Sequence, residues 1–220
     1  MTENRTSSNT DKHLDPECPL CESIGMPFFQ NRFFSCPNCG GIFRPRRDYP
    51  SEKAEISRYE EHHNDVNDRG YQRFVSPIVD RILVDFSAHH AGLDFGSGTG
   101  PVASKLLHDN DFQIVQYDPF FANHPELLRN QYDFIVCCEV IEHFHHPSQE
   151  FALLKRLLHR GGKLYCMTYL YDPSIDFANW HYQRDPTHVF IYRRETLDWI
   201  RSMFGFQSVE INGRLCVFST

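Results

Sequence analysis

The chain has 220 residues, 40% of them hydrophobic and 23% charged, with a formal net charge of −7; this suits one ordinary globular domain plus a small appendage. No apolar run approaches the roughly 20 residues of a membrane span, which argues against a membrane protein. The polar first fifteen residues lack the apolar core of a signal peptide, so a cytoplasmic location is expected, with the eight cysteines free of disulfides.

In chain order, residues 1–15 are rich in Thr, Ser and Asn and read as a disordered tail. Residues 16–45 carry Cys18-Pro-Leu-Cys21 and Cys36-Pro-Asn-Cys39-Gly-Gly, two Cys-x-x-Cys pairs. Each pair can place two thiolates on one tetrahedral ion, and Gly40-Gly41 allows a tight turn behind the second. A structural zinc ribbon is expected, ahead of Fe–S ligation or redox use. Phe28, Phe29, Phe33 and Phe34 would supply its small core, and alternation into Ile42 and Phe43 suggests short strands. So short a module cannot bury enough apolar surface to fold unaided, so the metal would provide much of its stability.

Residues 46–90 read as a helical lead-in that covers the domain behind it. A charged helix over Ser51–His63 starts at a Ser51 cap, Asn64–Gly70 breaks it, and Tyr71–Phe86 follows with Phe74, Ile78, Ile82 and Phe86 at four-residue intervals. Tyr59, His62, His63 and Asn64 either line a pocket or form a solvated helix face. The α/β domain then occupies 91–220. Strand Ala91–Phe95 runs into Gly96-Ser97-Gly98-Thr99-Gly100, and a helical pattern follows with Val102, Leu106 and Leu107 on one face. Strand, glycine turn and helix are how an open α/β sheet builds a ligand crevice at the carboxyl end of a strand. A dinucleotide turn would read G-x-G-x-x-G. This one reads G-x-G-x-G, with Asp94 two positions ahead of it. Phe112–Tyr117 is the next strand and Asp118 closes it, where a carboxylate can accept from both hydroxyls of a ribose.

These residues resemble motif I and the following acidic residue of the class I S-adenosylmethionine-dependent methyltransferases. The resemblance implies a doubly wound Rossmann-like sheet with a terminal antiparallel hairpin. It also implies that Asp94, Gly96, Ser97, Gly98, Thr99 and Gly100 hold the methionine side of S-adenosylmethionine, with Asp118 on the ribose and Glu139 beside the cofactor. One departure stands out. Only Pro119–Gln131 separates Asp118 from strand Tyr132–Cys138, too little for a helix and another strand, so the third strand is expected to be missing or reduced. The rest follows family order: helix Pro147–His159, turn Gly161-Gly162, strand Lys163–Thr168, helix Arg194–Met203, and closing strands near Phe206–Ile211 and Leu215–Phe218. Cys137, Cys138, Cys166 and Cys216 fall in apolar strand-like runs and read as buried thiols.

Directly after Tyr132–Cys138 comes Glu139-Val-Ile-Glu142-His143, whose positions i, i+3 and i+4 would share one side of a helical turn. His188 follows much later in Arg184-Asp185-Pro186-Thr187-His188. The two segments resemble the small-RNA 3′-terminal 2′-O-methyltransferases, where such residues hold Mg²⁺, and the ubiquinone-pathway O-methyltransferases. By that resemblance Glu139, Glu142, His143 and His188 are the candidate catalytic residues and a second metal set. Mixed nitrogen and oxygen donors leave Mg, Mn, Fe and Zn open. The alternative is a turn that merely packs beside the cofactor, with His188 facing substrate or acting as a base. Trp180, His181 and Tyr182 either stack on a planar substrate or belong to the core.

The expected function is S-adenosylmethionine-dependent methyl transfer, with O-methylation of a small hydroxylated molecule favoured. The absence of an Asn-Pro-Pro-Tyr-type motif after the fourth strand accords with that choice. Two further readings stay open: a zinc-ribbon RNA methyltransferase and a non-catalytic cofactor-binding adaptor. Charge weighs against nucleic acid. Six Lys/Arg balance six Asp/Glu in residues 1–50, so the whole −7 falls on 51–220, with Arg44-Pro-Arg46-Arg47 as one small basic candidate. The ribbon is expected to brace the main domain or to contact substrate or a protein partner.

Overall fold

The computed structural model describes residues 16–61 and 64–220; the expected tail at 1–15 and the candidate pocket residues His62 and His63 lie outside them. A small sheet comes first: β1 (Met26–Phe29), β2 (Phe33–Ser35) and β3 (Ile42–Phe43). Helix α1 (Glu52–Glu60) begins where the Ser51 hydroxyl accepts from Ala54 N–H. Helix α2 (Arg69–Asp85) starts two residues before the expected Tyr71 because the Asp68 carboxylate accepts from Tyr71 N–H and caps it. Pro77 lies inside α2 and cannot donate to the Arg73 carbonyl; the Ser76 hydroxyl donates there instead.

The main sheet holds β4 (Ala91–Phe95), β5 (Gln113–Tyr117), β6 (Tyr132–Cys138), β7 (Leu158–Met167), β9 (Ser208–Asn212) and β10 (Leu215–Ser219). Its order is β5-β4-β6-β7-β10-β9, with β5, β4, β6 and β7 parallel and β10 antiparallel to both neighbours. Residues 118–131 hold only an isolated bridge from Asp118 to Ala122 and a 3-10 turn, Pro125–Arg129, so β5 is the sheet's edge and no third strand joins the sheet, in keeping with a missing or reduced one. Helix α3 (Val102–His108) follows the glycine turn, α4 (Pro147–Leu157) precedes β7, and α5 (Arg194–Met203) precedes the closing hairpin. The helix expected to reach His159 stops at Leu157. The Gly161-Gly162 turn becomes a bulge within β7, whose register jumps from Tyr132↔Leu158 to Phe134↔Lys163, with Gly161 at φ +81°.

Alternation along β6 divides the core between two layers. Phe134 and Val136 face α2 and α3 with Val75, Ile78 and Ile82, while Ile135 and Cys137 face Phe151, Leu154 and Leu197 of α4 and α5. Cys137, Cys166 and Cys216 are fully buried in the second layer.

The ribbon does not have a core of its own. A fourth strand, β8 (Phe190–Ile191), is supplied from beyond β7 and pairs antiparallel with β3, as Ile42↔Ile191 and Phe43↔Phe190. Phe33 packs with Ile42, Ile191 and Phe177, and Phe34 and Phe43 join the main core. Phe28 and Phe29 meet the edge of Phe177. A segment this short buries its aromatics against the larger domain because it lacks the volume to enclose them.

Candidate active site

The four ribbon sulfurs converge. Cys18 Sγ lies 3.6 Å from Cys39 Sγ and Cys21 Sγ 3.3 Å from Cys36 Sγ, and all four lie within 4.8 Å of one another. A tetrahedral ion about 2.3 Å from each sulfur would set them about 3.8 Å apart, so the cluster fits zinc with small adjustment. The Cys39 thiol pulls Cys18 down to about 6, and the same contact together with burial pushes Cys39 up. A cation among them removes that mutual obstruction to ionisation.

A crevice of about 700 Å³ opens at the carboxyl ends of β4, β5 and β6, lined by Gly96–Gly100, Asp94, Asp118, Glu139, His143 and His188. Gly98 sits at φ +61° and its N–H reaches Asp118 Oδ2 at 2.9 Å, tying the turn to the end of β5. Gly100 is required by close approach: a Cβ there would stand 2.0 Å from the Asn64 carbonyl oxygen. The other oxygen of Asp118 accepts from Phe120 and Phe121 N–H. Asp94 is buried beneath the turn and accepts from the Ser104 hydroxyl at 2.7 Å; burial pushes it up to about 6. Ser97 Oγ is buried with no hydrogen-bond partner among the described residues, a polar group facing a cavity that would suit a polar ligand. Thr99 completes the lining, and Tyr59, Asn64, Tyr71 and Phe74 from the helical lead-in cover it. Cys138, unlike the other three main-domain cysteines, lines this crevice.

Across the crevice, Glu142, His143 and His188 place ligand atoms within 4.8 Å of one another. Glu142 is fully buried behind the two histidines, accepting from the Tyr182 and Thr168 hydroxyls, and burial pushes it up to about 7. His143 Nδ1 lies 3.0 Å from the Thr187 carbonyl, and His188 Nδ1 lies 2.7 Å from that of Tyr182. A carbonyl only accepts, so each Nδ1 is the donor, which leaves Nε2 as the ring atom that could meet a metal ion. Carbonyl-oriented imidazoles beside a hydrogen-bonded carboxylate are the donor arrangement of divalent metal sites.

Glu139 does not join that cluster. The helical turn expected to align it with Glu142 and His143 is a 3-10 turn spanning only Ile141–His143. Glu139 precedes it at φ +53°, and its carboxylate pairs with Arg214 at 3.2 Å. Arg214, from the β9–β10 turn, stacks over Phe74 and Tyr169. Burial and then Glu142 push Glu139 up to about 9, opposed by Arg214.

Further residues shape the site without any local sequence signal. Arg44, 3% exposed, leaves β3 and donates to the carbonyls of Gln183, Asp185 and His188, so the ribbon grips the segment that carries His188. It is therefore not part of a basic surface. Arg58 of α1 binds Asp185 on the same segment at 2.9 Å. Glu55, buried on α1, accepts from His145, on which Tyr49 packs. Of the three aromatic candidates, Tyr182 is buried against Glu142, Trp180 packs with Phe177 and Tyr171, and His181 lines the crevice.

An open mixed sheet with four parallel strands, a glycine turn under an acidic crevice and a strand-ending aspartate define a doubly wound α/β protein with its crevice at the strands' carboxyl ends. Residues 67–211 match the family model described as a methyltransferase domain. No curated protein matches the chain. Among solved structures, a SAM-dependent methyltransferase from Archaeoglobus fulgidus superposes with a TM-score of 0.54 at 16% identity, over 68% of this chain and 94% of that one. Human N-acetylserotonin methyltransferase, solved with SAM, superposes with a TM-score of 0.52 at 11% identity, over 77% of this chain and 56% of that one. The chain belongs to the methyltransferase-domain family, and its fold is that of the SAM-dependent methyltransferases.

Proposed function

We propose that this protein transfers the methyl group of S-adenosylmethionine to a hydroxyl of a small molecule, with a divalent ion at Glu142, His143 and His188. The observation that carries this reading is that the two histidines line the same crevice as the glycine turn. When bound, the cofactor supplies a methyl on a sulfonium, and the ion supplies positive charge that favours an ionised acceptor oxygen. The remaining work is positioning, because in-line displacement depends on the approach of the attacking oxygen. Asp94 and the turn from Gly96 to Gly100 hold the methionine side, and Asp118 takes the ribose. Glu139, steadied by Arg214, forms the wall between the two. Thr168, Tyr182 and the carbonyls of Tyr182 and Thr187 orient the three ligands. Two imidazoles favour Mn²⁺, Fe²⁺ or Zn²⁺ over Mg²⁺, which prefers oxygen donors.

The four ribbon cysteines hold zinc in this reading, and the ribbon braces the acceptor side of the crevice through Arg44 and β8. The test is transfer of a tritiated methyl from labelled cofactor into fractionated metabolite and RNA pools, with and without Mg²⁺ or Mn²⁺. Label in a metabolite fraction is expected, stimulated by added metal and lost with H143A or H188A. Transfer indifferent to EDTA, in protein that keeps zinc only at its four cysteines, would remove the ion from the reading. Absence of cofactor binding by calorimetry would favour a non-catalytic adaptor that keeps the cofactor-binding fold without its ligand.

A further inference from the structure

A second cavity, of about 270 Å³, lies where the ribbon meets the acceptor side, lined by Phe29, Gln30, Arg32, Ala178, Gln183 and Arg184. Its charged lining is entirely cationic. Arg32 comes from the β1–β2 hairpin and Arg184 from the 3-10 turn His181–Arg184, and both are exposed. Behind Gln183 lies the buried guanidinium of Arg44, which donates to the Gln183 carbonyl. Among the described residues, none of these three arginines has a carboxylate oxygen within 4.0 Å. Burial and then the charge of Arg32 lower the pKa of Arg44, opposed by the charges of Asp48 and Asp185. Two exposed arginines lining one concavity that has no carboxylate in its lining are unusual company in a chain of net charge −7. Isolated surface arginines need no partner, whereas cations gathered around one concavity lower their mutual repulsion when an anion enters it.

The donors suit an oxyanion. A guanidinium offers paired N–H groups that match two oxygens of one phosphate, and a tetrahedral group can engage two guanidiniums at once. Its position relates it to the crevice. His181 and Tyr182 line the crevice, while Gln183 and Arg184, next in the same turn, line the second cavity. The four residues of this 3-10 turn rise only about 8 Å, so one short element contributes lining to both cavities.

We propose that the Arg32–Arg184 cavity is a subsite for a phosphate-type oxyanion carried by the methyl acceptor, an assignment that rests on the crevice being the site of methyl transfer. In this arrangement the ribbon contributes Arg32 to substrate selection as well as bracing the fold.

Inorganic phosphate is the probe for the cavity itself, titrated at low ionic strength into full-length zinc-loaded protein. One saturable site is expected, weakened at least tenfold in R32Q/R184Q and unchanged in R47Q, an exposed arginine elsewhere. Zinc content and cofactor affinity should stay constant, because neither residue touches those sites. Lack of saturable binding, or equal binding by the double variant, overturns the assignment. The second arm treats the metabolite pool with phosphatase before the methyl-transfer assay. Loss of labelling, together with a raised KM for R32Q/R184Q at little change in kcat, supports an acceptor phosphate. Labelling that survives phosphatase, or that falls instead on RNase-sensitive material and is insensitive to the double variant, overturns it. If no pool is methylated, the crevice reading and the acceptor assignment fail together, while the phosphate titration still decides whether the cavity holds an oxyanion.

Discussion

If Asp94 holds the methionine side of the cofactor as proposed, binding in the crevice should depend on pH. Burial raises its carboxyl to about 6, so it is ionised above that pH and neutral below. A cationic methionine moiety is held better by the ionised form. Cofactor affinity, measured by calorimetry, should therefore be level above pH 6 and weaken by up to about tenfold per unit below it, the slope of one linked proton. D94N should bind more weakly at neutral pH and lose that slope. Residues of this kind were legible because their signal is local: Asp94, the three glycines and Asp118 lie within one strand–turn–helix–strand unit. Glu142, His143 and His188 were legible as a set for a different reason, the order of two segments along the chain. Glu139 was misplaced because a left-handed backbone at one position redirects its side chain to Arg214, and no pattern of residue types announces that.

At the scale of elements, strand Tyr132–Cys138, helix Arg194–Met203 and the missing third strand could be read from periodicity and length. The two-residue strand β8 could not. Phe190-Ile191 is too short to show alternation, and its partner β3 lies far away in sequence. The same distance hid Arg44, whose three acceptor carbonyls belong to residues 183–188. This coupling predicts that the ribbon and the acceptor segment loosen together. In R44M, or after zinc is stripped from the cysteines, amide exchange across residues 183–191 should accelerate along with that of the ribbon. Exchange at the glycine turn, and cofactor affinity, should change little. Protection of 183–191 that is unchanged in R44M would show that the ribbon does not hold this segment.

At the scale of the molecule, the cover helix α2 is anchored to the sheet through Asp85, which meets Arg81, Lys163 and the Tyr165 hydroxyl. Burial alone would raise this carboxyl, but Tyr165, Lys163 and Arg81 together hold it below its usual 3.8. A depressed folded-state value stabilises the fold above the unfolded value, and that contribution disappears as pH falls through the folded one. Below about pH 4 this contribution to stability should fall away. D85A should unfold more easily at neutral pH, by about 2–3 kcal/mol in denaturant titrations, and show a shallower acid slope.

The shared sheet also imposes an order in time. During synthesis the cysteine knuckles and β3 leave the ribosome roughly 150 residues before β8. At about 5–20 residues per second this is a wait on the order of ten to thirty seconds. The metal site can fill early, yet its sheet stays one strand short, with the β3 edge unpaired, until most of the enzyme has been made. The module that could receive an ion first is thus among the last to be completed, and the step that completes it also brings His188 to the crevice.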